Sequence, residues 1–321
     1  MKRILRAAAA VIAALSLILT GCSAAEGGSP KAAGEKDTLT LGVIKALGTV
    51  TPYVAKAKGY FEEAGIDVNI IDFSDGSSLM EAFAASDIDI AMCGVAPVAN
   101  WFSKGVDVQV IASANGGGHI ILSRKDTGIT NVEQLKGHTL AEQNLGTVTD
   151  TLLRSYILKN AAISPENDLT IVPGMKPADM AISLFDTREV DAILTWEPYV
   201  SQALSTYEDA VVVYDSPIVL KKELGAESFY AVNVVAASKE VIDNRKDDLK
   251  KFLSVYEKTV NYINTESSAN ADIAKALEMD ENIVKSARQR IDYTSKLDKD
   301  ALERTLRWGL ELGYFESIPA R

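Results

Sequence analysis

The sequence predicts an α/β protein made of two lobes, and three observations support this prediction. From Thr38 onward, short buried strands alternate with amphipathic helices, a pattern typical of mostly parallel sheets covered by helices. About 285 residues lie between Thr38 and the C terminus, more than one hydrophobic core usually serves. The helix-to-strand segment at Phe83 also recurs at Phe185, at an offset of 102 residues. We therefore expect two lobes of similar wiring.

Residues 38 to 113 are predicted to form the first lobe. Thr51 and Pro52 predict a helix start, because threonine caps helices and proline fits their first turn, and Gly65 is expected to end this helix. Ser77 and Ser78 are expected to cap the next helix. Apolar runs predict strands at 39–44, 68–73, 88–93 and 106–112, with a short helix at 97–104.

Residues 114 to 230 are predicted to form the second lobe. Thr130 and Glu133 have the spacing of a capping box for a short helix. From Lys246 the chain is predicted to be mainly helical, and residues 231 to 321 are expected to return to the first lobe. Strands of the second lobe are predicted at 119–123, 139–142, 169–172 and 190–195, with helices around 152–157 and 181–185.

The N terminus predicts export and anchoring to the outer face of a membrane. Three basic residues precede an apolar run at 7–19, which is too short to span a bilayer as a helix. The run ends in Leu-Thr-Gly-Cys, which resembles the lipobox of bacterial lipoproteins and marks Cys22 as the acylated residue. The alternative is an ordinary cleaved signal with a chance cysteine. Residues 23–37 are rich in Gly, Ser and Ala and predict a flexible tether.

Charge, cysteine and histidine content argue against several classes of function. Without the basic residues of the leader, 30 basic residues remain against 44 acidic ones, which disfavours nucleic acid as a partner. Beyond Cys22 only Cys93 remains, so no intramolecular disulfide is expected. His119 and His138 are the only histidines, and no common hydrolase, zinc or P-loop motif occurs. We expect no catalytic residue, metal or cofactor, although a carboxylate-pair hydrolase stays open.

Several short motifs occur in a characteristic order between residues 38 and 265. They are Gly59-Tyr60-Phe61, Ile88-Asp89-Ile90 ahead of Gly94, the run from Asn131 to Gly137, Gly146-Thr147, Val190-Asp191-Ala192 ahead of Trp196-Glu197-Pro198, and Ser228-Phe229-Tyr230. Their order and spacing resemble the solute-binding proteins of ABC importers for nitrate, taurine and aliphatic sulfonates. The resemblance implies a periplasmic-binding-protein-like clamshell (type II), in which each lobe is a mixed, mostly parallel sheet flanked by helices. It also implies a monomer that works with a permease and an ATPase.

Four turns at the carboxyl ends of predicted strands are expected to face the cleft between the lobes. They contain no Lys or Arg, so we expect backbone N–H groups at helix starts, helped by threonine hydroxyls, to hold a small anion. Tyr230, at the start of the return strand, is expected to close the cleft rim. The other predicted ligand-binding residues are Gly48, Thr49, Gly94, Val95, Ala96, Gly146, Thr147, Thr149, Trp196 and Glu197.

The sequence leaves alternatives open for these residues and for the ligand. Thr147 and Thr149 could simply close helix ends, and Glu197 could cap the helix after Pro198 or pair with an amine on the ligand. An unpaired carboxylate would repel a bare inorganic anion, which favours an organic anion such as an alkanesulfonate or taurine. The alternatives are a pyrimidine vitamin precursor, an aromatic acid or nitrate, and with less support a lipid-anchored enzyme that acts on such a ligand.

Overall fold

The strands form two mixed sheets. The computed structural model describes residues 38–225 and 230–317. The first sheet has the order β11-β4-β10-β3-β1-β2, and the second has the order β7-β6-β8-β5-β9. The strands are β1 (Thr38–Ile44), β2 (Asp67–Phe73), β3 (Ile90–Gly94), β4 (Gln109–Gly117), β5 (His119–Arg124), β6 (Thr139–Ala141), β7 (Thr170–Val172), β8 (Ala192–Trp196), β9 (Ala210–Asp215), β10 (Ala231–Ala237) and β11 (Ile291–Tyr293).

Helices connect the strands and pack on the sheets. Residues 153–158 and 182–186 continue α5 and α6 as wider π-helical turns. None of the helices in the described ranges is both long and apolar enough to cross a membrane. The α-helices are α1 (Thr51–Ala57), α2 (Tyr60–Glu63), α3 (Gly76–Ala84), α4 (Val95–Ser103), α5 (Val148–Leu152), α6 (Pro177–Ala181), α7 (Tyr199–Thr206), α8 (Ser216–Leu224), α9 (Lys239–Asn244), α10 (Lys246–Thr265), α11 (Ala269–Leu277), α12 (Glu281–Ala287) and α13 (Lys299–Glu311).

Strand direction confirms the mixed, mostly parallel sheets. In the first sheet β1, β2, β3 and β4 run the same way, while β10 lies antiparallel between β3 and β4 and β11 lies antiparallel beside β4. In the second sheet β6, β7, β8 and β9 run the same way, and β5 lies antiparallel between β8 and β9. The first sheet takes its strands from residues 38–117 and 231–293, and the second takes its strands from 119–215. Chain crossings at 117–119 and after β9 therefore join the sheets.

The internal repeat marks equivalent positions in the two sheets. β3 and β8 each have a parallel neighbour on one side and an antiparallel neighbour on the other. The aspartate that precedes each strand makes the same bond: Asp89 Oδ2 accepts from Thr40 N at 2.8 Å. Asp191 Oδ2 accepts from Thr139 N at 3.0 Å. The repeated aspartate therefore ties each strand to its parallel neighbour in the same way.

Two predicted helix caps are wrong in detail. Asp75, rather than Ser77 or Ser78, caps α3, because its extended backbone lets the carboxylate accept from both serine N–H groups, at 3.0 and 2.9 Å. The short helix at 132–135 is capped by Asn131 rather than Thr130, since the Asn131 side chain accepts from Gln134 N at 3.2 Å. Gln134, rather than Glu133, reaches back, and its Oε1 accepts from Thr130 N at 2.8 Å. Strands β9 and β11 were not predicted.

The C-terminal helix packs on the first sheet and on a helix that flanks the second. α13 packs on α4 and β10 of the first sheet and on α5 beside the second. Thr305 Oγ1 donates to Ala231 O at 3.1 Å, and Ser155 Oγ donates to Trp308 O at 3.1 Å. One apolar cluster accordingly runs through both sheets and includes Cys93, Leu152 and Leu306. The two sheets and α13 therefore share part of their core.

Candidate functional site

A cavity of about 570 Å³ lies where the carboxyl ends of the parallel strands of both sheets meet. The turns after β1, β3, β6 and β8 all contribute to its wall, as the sequence predicts. Thr49, Val95 and Tyr230 do not line it. The predicted residues that do line it are Gly48, Gly94, Ala96, Gly146, Thr147, Thr149, Trp196 and Glu197.

The start of α4 supplies backbone donors to the cavity wall. Gly94, the residue before the helix, has no side-chain oxygen to cap it, and Ala96 lines the cavity. Pro97 lacks an N–H, so Val95 and Ala96 present the first amide groups of the helix. Although the Val95 side chain is buried in the core, its backbone N–H belongs to this set. The positive end of the α4 dipole therefore lies at the cavity.

Thr147 and Thr149 lie two residues apart but use their hydroxyls differently. Thr147 caps α5: its hydroxyl accepts from Asp150 N at 3.3 Å and donates to Asn144 O at 2.9 Å. Thr149 is only 3% exposed and lines the cavity, and its side-chain hydroxyl has no hydrogen-bond partner among the described residues. The capping alternative therefore holds for Thr147, whereas the Thr149 hydroxyl is available to a ligand.

A buried ionic cluster supports the turn that contains Gly146. Asp150 Oδ2 accepts from Gly146 N at 2.9 Å, while Arg154 lies 2.6 Å from Asp150 Oδ1 and 3.2 Å from Glu142 Oε1. Both carboxylates are fully buried and share this one guanidinium. Burial, reinforced by the charge of Asp150, raises the pKa of Glu142 to about 8. Glu142 therefore keeps its proton to a higher pH than a carboxyl group in water does.

Trp196 and Glu197 end β8 on the cavity wall. The Trp196 ring is half-buried, with its centroid 6.2 Å from the His119 ring and 6.0 Å from the Tyr199 ring. Glu197 Oε2 accepts from Ser201 N at 3.0 Å, so this carboxylate caps α7. Its Oε1 lies 3.0 Å from Arg290 Nη1. Of the two alternatives for Glu197, the structure shows the cap, and the cation beside it belongs to the protein.

Thr49 and Tyr230 face away from the cavity, in contrast to the prediction. The Thr49 hydroxyl donates to Ile44 O in its own turn, because that turn folds back on the end of β1. Tyr230 is 1% exposed and lies beneath the wall, where its hydroxyl contacts His119 Nδ1 at 2.5 Å and Ser216 Oγ at 3.0 Å. Burial lowers the pKa of His119 to about 4, so the imidazole that lines the cavity is neutral.

The sequence analysis missed several lining residues that lie outside the four turns. Asn115 and Asn233 meet across β4 and β10, with Asn233 Nδ2 donating to Asn115 Oδ1 at 2.8 Å. A Cβ atom on Gly48 would lie 2.7 Å from Asn115 Oδ1, so this glycine permits the close approach. Lys104 lines the cavity from the end of α4, with its Nζ 5.1 Å from the centre of the Trp101 ring. The absence of Lys and Arg from the four turns therefore does not extend to the whole wall.

Two mixed sheets with a cavity at their strand ends define the periplasmic-binding-protein fold. The crystal structure of the periplasmic aliphatic sulphonate binding protein from Escherichia coli superposes with a TM-score of 0.74 at 19% identity, covering 87% of this chain and 92% of that one. The chain belongs to the NMT1-like family, whose pattern matches residues 32–278. This confirms the predicted fold and the predicted resemblance.

Two curated relatives align over most of the chain. A putative aliphatic sulfonates-binding protein of Bacillus subtilis (strain 168) is 26% identical over 300 residues, which cover 90% of this chain and 84% of the relative. The taurine-binding periplasmic protein of Escherichia coli (strain K12) is 28% identical over 239 residues, which cover 73% of this chain and 68% of the relative. These relatives are binding proteins, and neither is named as an enzyme.

Proposed function

We propose that this chain is the extracytoplasmic solute-binding component of an ABC importer and captures a small organic anion in the cavity. The observation that carries the proposal is the set of donors that line the cavity without a protein partner, the first amides of α4 and the hydroxyl of Thr149. Amides at a helix start favour an anion without a formal cation. Trp196 offers an apolar face for the organic part. The names of the relatives support the same ligand class.

Among organic anions, the contacts favour an alkanesulfonate over taurine. Taurine carries an amine that needs a carboxylate or several acceptors. Glu197 already pairs with Arg290 and caps α7. Asp75, the other carboxylate on the cavity wall, accepts from Ser77 N and Ser78 N. Because both carboxylates already have partners, an amine on the ligand would have to displace one of these partners.

A ligand screen by thermal melting and titration calorimetry tests the proposal. The purified protein is mixed separately with ethanesulfonate, taurine, nitrate, benzoate and a pyrimidine. A ligand at about 100 times its Kd stabilises the folded state by about 2.7 kcal/mol, so a true ligand raises Tm clearly. We expect ethanesulfonate to bind most tightly and mass spectrometry to recover it unchanged. Binding of the pyrimidine or nitrate alone would contradict the ligand class, binding of benzoate alone would favour an aromatic acid over an alkanesulfonate, and a converted ligand would favour the enzyme alternative.

The proposal includes a lipid anchor on Cys22, which lies outside the described residues. Its support is the sequence of the leader: a basic start, a short apolar run and Leu-Thr-Gly-Cys. Intact-mass measurement of membrane-extracted protein should find a lipid-modified chain that begins at Cys22. A Cys22→Ala variant that remains in the membrane fraction to the same extent would contradict the anchor. Transport also requires a permease and an ATPase, which co-purification with the anchored protein can identify.

A further inference from the structure

Arg290 links the two sheets beside the cavity. It immediately precedes β11 of the first sheet, yet its guanidinium contacts two carboxylates at strand ends of the second sheet. Nη1 lies 3.0 Å from Glu197 Oε1, and Nε lies 3.2 Å from Asp215 Oδ2. One cation therefore serves two carboxylates at the junction of the sheets.

Both carboxylates are held in place by contacts of their own. The Glu197 side chain is fully buried and the Asp215 side chain is 9% exposed. Each caps a helix, since Glu197 accepts from Ser201 N at 3.0 Å and Asp215 accepts from Ile218 N at 3.4 Å. Neither carboxylate can turn to solvent without leaving a helix start unpaired. If the guanidinium were removed, their negative charge would stay buried behind the cavity wall.

The charge of the wall depends on this contact. The charged residues among the described lining are Asp75, Lys104 and Glu197. Asp75 and Lys104 carry opposite charges, and burial keeps His119 neutral. The remaining carboxylate is Glu197, and its charge is offset by Arg290. Because Arg290 also faces Asp215, these three groups carry one net negative charge with Arg290 in place and two without it, in a poorly screened site.

We infer that Arg290 determines the specificity of the cavity for anions by offsetting the charge of Glu197, although it does not line the cavity itself. The inference rests on the proposed function and assigns the control of ligand charge to a contact between the two sheets. Arg290 acts through Glu197 and is a positioning residue. A purely structural role would instead make Arg290 one of several links between the sheets.

Titration of ethanesulfonate into four proteins separates these two roles. The proteins are the wild type, Arg290→Gln, Glu197→Gln and the double variant. Arg290→Gln should lose affinity at least about tenfold, because it exposes an anionic ligand to an uncompensated carboxylate. The double variant should return to within about threefold of the wild type, because it removes the carboxylate as well. Glu197→Gln alone should bind more tightly than the wild type, because it removes a carboxylate from the wall and keeps Arg290.

Lys221→Gln is the matched control. Lys221 of α8 pairs with Asp292 of β11 at 2.7 Å, so it is a second link between the same segments, and neither residue lines the cavity. Its loss should change affinity less than about twofold, since this pair is more exposed. An equal loss in Lys221→Gln and Arg290→Gln would overturn the inference. So would a double variant that binds no better than Arg290→Gln.

Two further outcomes are distinguishable. If the wild type binds none of ethanesulfonate, taurine and benzoate, the proposed function fails and the inference falls with it. If the wild type binds but Arg290→Gln binds equally well, only the inference fails. Should Arg290→Gln not fold, Arg290→Lys and the double variant decide the matter, since both keep the net charge of positions 197, 215 and 290 at the wild-type value. Affinity within about threefold of the wild type in both supports the inference, and a tenfold loss in both overturns it.

Discussion

Replacing Thr149 by valine tests the site most directly, because it removes one hydroxyl and keeps the shape of the side chain. Thr149 is 3% exposed on the cavity wall, and its hydroxyl has no hydrogen-bond partner in the described part of the chain. A hydrogen bond from this hydroxyl to a sulfonate oxygen would be worth about 1.5–3 kcal/mol, as is usual when one partner is charged. Its loss corresponds to a fall in affinity of roughly 10- to 150-fold.

The same substitution at Thr147 should lower stability and leave ligand affinity almost unchanged. Thr147→Val removes the cap of α5 and should lower the free energy of unfolding by roughly 1 kcal/mol. Its effect on affinity should stay below about threefold, because the hydroxyl is already occupied by Asp150 N and Asn144 O. Thr149→Val should change the stability of the ligand-free protein little, because it breaks no hydrogen bond within the described part of the chain.

Both quantities can be measured on the same samples. Urea unfolding without ligand gives the stability, and titration calorimetry with ethanesulfonate gives the affinity. We expect Thr149→Val to lose affinity and keep its stability, and Thr147→Val to lose stability and keep its affinity. If Thr149→Val binds like the wild type while Thr147→Val loses most of the affinity, the reasoning from hydrogen-bond satisfaction is refuted.

Three further predictions concern the wall and its support. Trp196→Ala should weaken binding of an alkanesulfonate by roughly 1–3 kcal/mol through lost apolar contact, and an unchanged Kd in calorimetry would place the ring outside the site. Gly48→Ala should weaken binding and lower Tm, because the new methyl group would lie 2.7 Å from Asn115 Oδ1; a wild-type melting curve and Kd would contradict this. The raised pKa of Glu142 means that the folded state keeps a proton that the unfolded chain releases, so stability should fall as pH rises from about 4.5 to about 8. Glu142→Gln should flatten that fall in urea unfolding, and an equally steep profile in the variant would show that another group is responsible.

Local pattern was enough to predict much of the fold. Alternation of apolar runs with capped helices located most strands of both sheets, because strand and helix periodicities depend on neighbouring residues. The repeat at Asp89 and Asp191 was visible because each aspartate bonds to the adjacent strand in the same way. The antiparallel positions of β5 and β10, and the presence of β11, were not predicted. Strand order depends on pairings between distant segments, which no local pattern records.

The same distinction between local pattern and distant contacts applies to the candidate site. The sequence by itself determined that strand-end turns would line a cavity and that Gly94 would leave a helix start without a side-chain cap, since both follow from local residue types. Only the tertiary structure decided that Thr147 caps while Thr149 is unpaired, that Tyr230 lies beneath the wall, and that Lys104 reaches the cavity from a helix end. It also decided the partner of Glu197, because Arg290 lies 93 residues further along the chain. Charge compensation depends on distance in space, and the fold alone sets that distance.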